Sequence, residues 1–230
     1  MFGLFKKKSG PVITDKIWMT EDAKCRGLLQ ISQADPNIVI ICWFQATLEK
    51  LNAAFPFNGT DSFVYMAGSV HGSMLRNKQL IFAEHHPLIE KEKSFLESHG
   101  ITKATVHTSL DEPLLIHFGG ERMAHLMRTL GMNENDPLEN ALISRSIRNA
   151  QESLAKKSVM ELSAHSQGEW LKKICPAEIQ CWQGLQPMRQ TYVSDFYKTL
   201  FGNTAFAFFL CTSSLDNLSR KAEGNGPMKP

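Results

Sequence analysis

Residues Ile38 to Phe44 read IVIICWF, an unbroken apolar run rich in β-branched and aromatic side chains. A strand with one wet face alternates polar and apolar residues, whereas a run with no polar member fits a strand buried on both faces. Such a strand needs a layer on each side, and helices that join parallel neighbours supply those layers. The sequence on either side has the parts for this. Ala46 to Phe55 carries Leu48, Leu51 and Phe55 on one helical stripe, closed by Pro56 and the Asn58-Gly59 pair. Phe63 to Ala67 reads as a second strand, Gln79 to Ala83 as a third and Thr102 to Thr108 as a fourth. His86-Pro87 opens a helix to about His99, with Leu88, Phe95 and Leu96 inward, Glu90, Lys91, Glu92 and Lys93 on the wet side, and Gly100 as its stop. The link from 63–67 to 79–83 shows little helical pattern. The predicted fold class is therefore α/β, a small, mostly parallel sheet with flanking helices, over residues 36–135.

The segment before it, residues 1–35, reads as an N-terminal arm. Ile17, Trp18 and Met19 suggest a strand end, and Glu21 to Leu29 one or two helical turns. The opening MFGLFKKKSG places its short apolar part before its lysines, the reverse of a signal peptide, and reads as a frayed terminus. No run approaches the roughly twenty apolar residues that span a bilayer. Formal net charge is only +2, so nothing calls for nucleic acid or a membrane surface. The cysteines, at positions 25, 42, 175, 181 and 211, are odd in number and widely spaced. That pattern predicts free thiols in a reducing, cytoplasmic compartment rather than a disulfide framework or a metal site.

The stretch Ser109–Leu154 is the most specific. Leu114, Leu115 and Phe118 make one short apolar turn that Gly119-Gly120 closes. Met123, Leu126, Met127 and Leu130 follow at helical spacing, and Gly131 sits where a left-handed cap is usual. Asp136, Pro137 and Glu139 then form a helix-start signal. The stripe Leu138, Leu142, Ile143, Ile147, Ala150, Leu154 and Leu162 predicts one helix from Pro137 to about Lys173, a rod of roughly 50–55 Å. Gly168 weakens it and Pro176 stops or kinks it. Region 136–212 is predicted to be helical, with Tyr192 to Phe201 as helix and Ala205 to Cys211 as an apolar return segment. Residues 213–230 are polar and predicted to be a disordered tail.

Ser109-Leu110-Asp111-Glu112, Phe118-Gly119, Leu126-Met127, Leu130-Gly131-Met132, Ile143-Ser144-Arg145, Ile147 and Ala150-Gln151 fall in an order and spacing that resembles SecA. SecA is the motor ATPase of bacterial protein export, and the likeness is to the end of its second nucleotide-binding domain and the start of its helical scaffold domain. Asp111 and Glu112 are swapped relative to the usual S-L-E-D. The resemblance implies that 36–135 is a diverged RecA-like half-motor and that the long helix is a scaffold helix. It does not bring the activity with it. The glycine- and arginine-rich run that precedes S-L-E-D in that family is replaced by Ala104-Thr105-Val106-His107-Thr108, and the nearest preceding arginine is Arg76.

Nucleotide chemistry needs a phosphate loop, an acidic magnesium holder and an arginine. The nearest loop, Gly68 to Met74, has no lysine and is one residue short. Asp111-Glu112 reads as helix-capping carboxylates rather than an acidic magnesium pair. Glu84 and the His85-His86 pair stand at a strand end, where open α/β sheets place ligands, yet they lack further metal ligands at known spacing. The expectation is a chain with no catalytic residue, cofactor or metal. Its work would be binding a preprotein, a Sec component or a second copy of itself. The alternative is an enzyme with a nucleotide or phosphate ligand near Gly68, Gly72, Ser73, Glu84 and His85, its site completed across a dimer.

Overall fold

The structure is a computed structural model, and it describes residues 10–55, 63–116, 120–129, 131, 133–158 and 162–175. All of them fall within one unit, Met1–Gly184. Several expectations lie outside the described residues: the frayed start, Pro56 and Asn58-Gly59, Phe118-Gly119, Leu130, Met132, Cys181, and everything predicted from Pro176 to the tail.

The core is a five-stranded sheet, all parallel, in the order β1-β5-β4-β2-β3. The strands are β1 (Val12–Trp18), β2 (Ile38–Cys42), β3 (Val64–Met66), β4 (Gln79–Phe82) and β5 (Lys103–Ser109). Strand β2 is buried throughout, as its all-apolar run requires. Helices α1 (Glu21–Ala34) and α2 (Gln45–Ala54) cover one face, where Leu28, Leu51 and Phe55 pack on Ile38, Ile40, Cys42 and Ile81. Helix α3 (Ile89–Ser98) covers the other, where Phe95 and Leu96 pack on Val39, Ile41, Phe82 and Val106. The β3–β4 link holds only a single 3-10 turn, Ala67–Ser69, and no crossover helix. After β5 come α4 (Pro113–Ile116), α5 (Gly120–Thr129), α6 (Ala141–Lys157) and α7 (Gln167–Ile174).

Three expectations need correction. Residues 12–34 are not an arm. Strand β1 pairs with β5 along its whole length, from Val12 opposite Lys103 to Trp18 opposite Ser109, and α1 carries the chain across to β2. Second, the single rod from Pro137 to Lys173 does not form. Leu138 exchanges two backbone hydrogen bonds with Ile17, at 2.8 and 2.9 Å, which holds 137–139 extended against the edge of β1. Helix α6 starts only after Asn140, whose side chain accepts from the amides of Leu142 and Ile143. It ends at Lys157, 17 residues or roughly 25 Å long, and α7 starts afresh behind Ser166. Third, Glu92 does not face water. It is 1% exposed and turned toward the sheet.

Gly131 has φ +71°, the left-handed conformation its place behind the methionine-bearing helix α5 predicts. Gly27 matters for space instead. A Cβ there would sit 1.9 Å from Cη2 of Trp18, and that indole is 2% exposed and donates from Nε1 to His107 Nδ1 at 3.1 Å. The ring cannot swing aside without losing that bond. Gly27→Ala is therefore expected to destabilise the fold by about 1–3 kcal/mol, read as a lower urea midpoint with an unchanged slope. A variant as stable as the parent would contradict this packing.

Candidate functional site

The strand order contains a reversal. From β2 the chain moves outward to β3 through α2 on one face, and from β4 it moves the other way to β5 through α3 on the opposite face. The C-terminal ends of β2 and β4 thus flank the switch point, where open α/β sheets place their ligands. The residues there are Trp43 and Phe44 after β2, and Ala83, Glu84, His85 and His86 after β4.

Glu84 turns toward α1 and α2. Its carboxylate accepts the amides of Trp43 and Phe44 at 3.2 and 3.1 Å and the hydroxyl of Thr47 at 2.7 Å, closing the N-terminus of α2. Lys24, 1% exposed on α1, donates to the carbonyl of Ala83 at 2.8 Å and pairs with Glu112. Glu112 also accepts from the Thr108 hydroxyl at 2.7 Å and the Ser109 amide at 3.1 Å. With the Glu112 amide bonded to the Ser109 carbonyl at 3.1 Å, this closes the turn from the end of β5 into α4. Asp111 caps a helix too, but not its own, because it accepts from the amide of Glu21 at the start of α1. Burial pushes the Glu84 carboxyl up to about 7 against the pull of Lys24. Burial would lower the Lys24 ammonium, but Glu112 and Glu84 outweigh it and hold the group above its ordinary value.

His85 turns toward α3. Its Nδ1 lies 3.0 Å from Glu92 and its Nε2 3.3 Å from Asp15 of β1, and all three groups are buried. Burial alone would lower this imidazole, yet the two carboxylates raise it to about 10. Asp15 moves down despite its burial, held by His85, by Ser144 and by the charge of Arg148 on α6. Gln151 of α6 donates to the carbonyl of His86 at 2.8 Å, and Gln167 of α7 donates to that of His85 at 3.0 Å. His107, buried on β5, is driven down to about 3 by its burial and by Lys24 and Lys16.

Above this polar layer lies a cleft of about 220 Å³ walled by Trp43, Ala67, Gly68, Leu88, Leu162 and Trp170, with His86 and Lys91 also at its surface. The five residues named from the sequence are thus not brought together. Gly68 lines the cleft. Gly72 and Ser73 lie on an exposed turn. Glu84 and His85 lie underneath, engaged by neighbours. Sequence reasoning missed Lys24, Glu92, Gln151 and Gln167. Lys24, Glu92 and Gln151 each carried a signal, standing four residues from buried Leu28, Leu96 and Ile147 on the same helical faces. Among the described residues, no group of three or more histidines, cysteines or acids is arranged to hold a metal ion, and no helix is long and apolar enough to cross a membrane.

No protein-family model matches the chain. Curated relatives do, over a limited stretch. The protein translocase subunit SecA of Oleidesulfovibrio alaskensis is 54% identical over 43 residues, which is 19% of this chain and 5% of that protein. SecA of Desulforapulum autotrophicum is 49% identical over 45 residues, 20% of this chain and 5% of its own length. SecA of Solibacter usitatus is 44% identical over 61 residues, 24% of this chain and 6% of its own length. One segment of this chain is related to SecA. The likeness to SecA covers a stretch comparable in length with Ser109–Leu154 and leaves most of the chain unmatched.

His85 yields a signed pH prediction. Its folded value of about 10 lies above the ordinary 6.5, so its stabilisation is complete below 6.5 and is lost as pH rises toward 10. His85→Gln should flatten the fall in stability between pH 7 and 9.5, measured by urea unfolding. It should also cost about 3–5 kcal/mol at pH 7, because two buried carboxylates lose their counter-charge. A parental pH profile in the variant would show that the imidazole is not the group responsible.

Proposed function

We propose that this chain is a non-catalytic, SecA-like interaction protein linked to protein export, binding a polypeptide or a component of the Sec machinery. The observation that carries the reading is the SecA-related segment. The built junction at Ser109–Glu112 supports it, since that part of the resemblance is tied into the fold by Lys24 and by the Asp111 cap on α1. The condition of the switch point gives further support. A phosphate ligand needs amides and cations with capacity to spare. Here the amides of Trp43 and Phe44 already serve Glu84, and Lys24 serves Glu112 and a carbonyl. An incoming triphosphate would meet buried carboxylates.

The test is capture of purified full chain with SecA, with the export channel in detergent, and with an unfolded preprotein, alongside thermal-shift measurements with ATP, ADP and magnesium. Binding to at least one of the three, with Tm moved by less than about 1 °C at millimolar nucleotide, is the expected result. No binding to any of them would remove the export reading. A reproducible nucleotide shift, abolished by Gly68→Val in the cleft wall, would favour a nucleotide-binding enzyme in its place.

A further inference from the structure

The cleft over the switch point has a size and a lining that together narrow what can occupy it. Its volume is about 220 Å³. A cavity of roughly 150 Å³ holds one benzene ring, and sites for drug-sized ligands and cofactors run to roughly 300–1,000 Å³. The space therefore suits one ring with a short substituent and is too small for a nucleotide. The walls are aromatic and already fixed. The Trp43 indole stacks on buried Phe82 at 5.1 Å and meets Phe95 edge-on at 5.7 Å. Trp170 is 1% exposed. The His86 ring meets both indoles edge-on, at 5.2 Å from Trp43 and 6.1 Å from Trp170, and stacks on Phe44 at 5.9 Å. Walls held by such neighbours need little ordering when a guest arrives. Among apolar guests they favour a ring, because aromatic edges and faces attract one another.

The polar groups of the lining are donors. The Leu88 amide donates to His86 Nδ1 at 2.9 Å, while the Leu88 carbonyl lies farther from the same nitrogen, at 3.3 Å. A ring nitrogen that accepts from an amide carries no proton, so the proton of this imidazole is on Nε2, which is a donor. Lys91 brings an ammonium with three donor hydrogens. It has a partner within the chain already, and its several hydrogens let it serve a guest as well. Among the described residues, no aspartate or glutamate lines the cleft. An occupant there needs acceptors, and a charged acceptor makes the stronger hydrogen bonds.

We propose that the cleft binds a single aromatic ring bearing a carboxylate. That chemistry has two sources, a free aromatic acid and a polypeptide that ends in an aromatic residue. The ring and the anion are common to both. The inference rests on the cleft alone and stands whether or not the chain acts in export.

Ligand-detected NMR titration of the full chain tests it, with hydrocinnamate as the probe and hydrocinnamyl alcohol and phenylpropylamine as its neutral and cationic counterparts. Hydrocinnamate is expected to bind with Kd on the order of 1 mM or tighter. The alcohol should bind about five- to tenfold more weakly, and the amine more weakly still. Lys91→Met should weaken hydrocinnamate by about five- to tenfold and leave the alcohol unchanged. Gly68→Val should weaken both. A Cβ on Gly68 meets nothing within 4 Å, so this variant folds with its added bulk at the cleft wall. No binding of hydrocinnamate by the parent would overturn the proposal, and so would an alcohol or amine that binds as tightly as the acid. Both outcomes are read without any variant. Binding of the acid that neither substitution alters would also overturn it, because the acid would then sit elsewhere. The peptide Gly-Ser-Gly-Phe, with a free C-terminus, separates the sources. Displacement of hydrocinnamate by this peptide and not by its C-terminal amide assigns the site to a polypeptide end. No displacement by either assigns it to a free acid, and both results uphold the site. Equal displacement by the amide would overturn the role of the carboxylate. Loss of the export reading in the capture experiment would leave the cleft's ligand untouched.

Discussion

Glu84 and His85 are consecutive residues at the end of a strand, and they face opposite sides of the sheet. That alternation fixes most of what surrounds them. Glu84 reaches the layer of α1 and α2, where it closes the start of α2 beside the Lys24–Glu112 pair. His85 reaches the other layer, where it joins Asp15 of β1 to Glu92 of α3. An isolated charge in such a place costs several kcal/mol, and removing one partner of a buried pair leaves that cost uncompensated. Each helix must therefore sit where its counter-charge is needed. The apolar clusters hold the layers on the sheet, but hydrophobic burial has no direction and tolerates sliding. The ion pairs remove that freedom.

The same constraint explains the long reach of the Ser109–Glu112 junction. Thr108, Ser109 and Glu112 are buried at the end of β5, beside β4, the strand that leads into Glu84. Glu112 serves three masters at once, the Ser109 amide, the Thr108 hydroxyl and the Lys24 ammonium. Glutamate at this position is required by the fold before any partner is considered.

How far the sequence could be read depended on which physical rule dominated locally. The all-apolar β2 was legible because two-sided burial leaves no polar residue to mislead. Strand β1 was not, since Thr14, Asp15 and Lys16 interrupt it, and Asp15 is buried only because His85 lies across from it. Glu92 looked wet for the same reason: a carboxylate in a run of charges gives no local sign of a buried partner seven residues earlier. The start signal at Asp136 opens no helix, because a tertiary contact, the pairing of Leu138 with Ile17, holds the backbone extended there. The break before α7 had a readable signal. Ser166-Gln167-Gly168-Glu169 is a capping box, in which Ser166 accepts from the Glu169 amide and Glu169 from the His165 amide. The stripe from Leu154 to Leu162 masks that signal, because apolar residues keep helical spacing across a break as easily as within a rod.

The shortened α6 changes what a scaffold-type helix can do here. A rod of thirty-odd residues would outreach the sheet and need a second body to pack on. A helix of roughly 25 Å instead packs on α3 and α4 of its own unit, and the chain before α7 returns to the switch point, where the carbonyl of His165 accepts from the amide of Ala46 at the start of α2. The chain that follows α6, through Leu162 and Trp170, therefore walls the very place where an α/β sheet would admit a ligand.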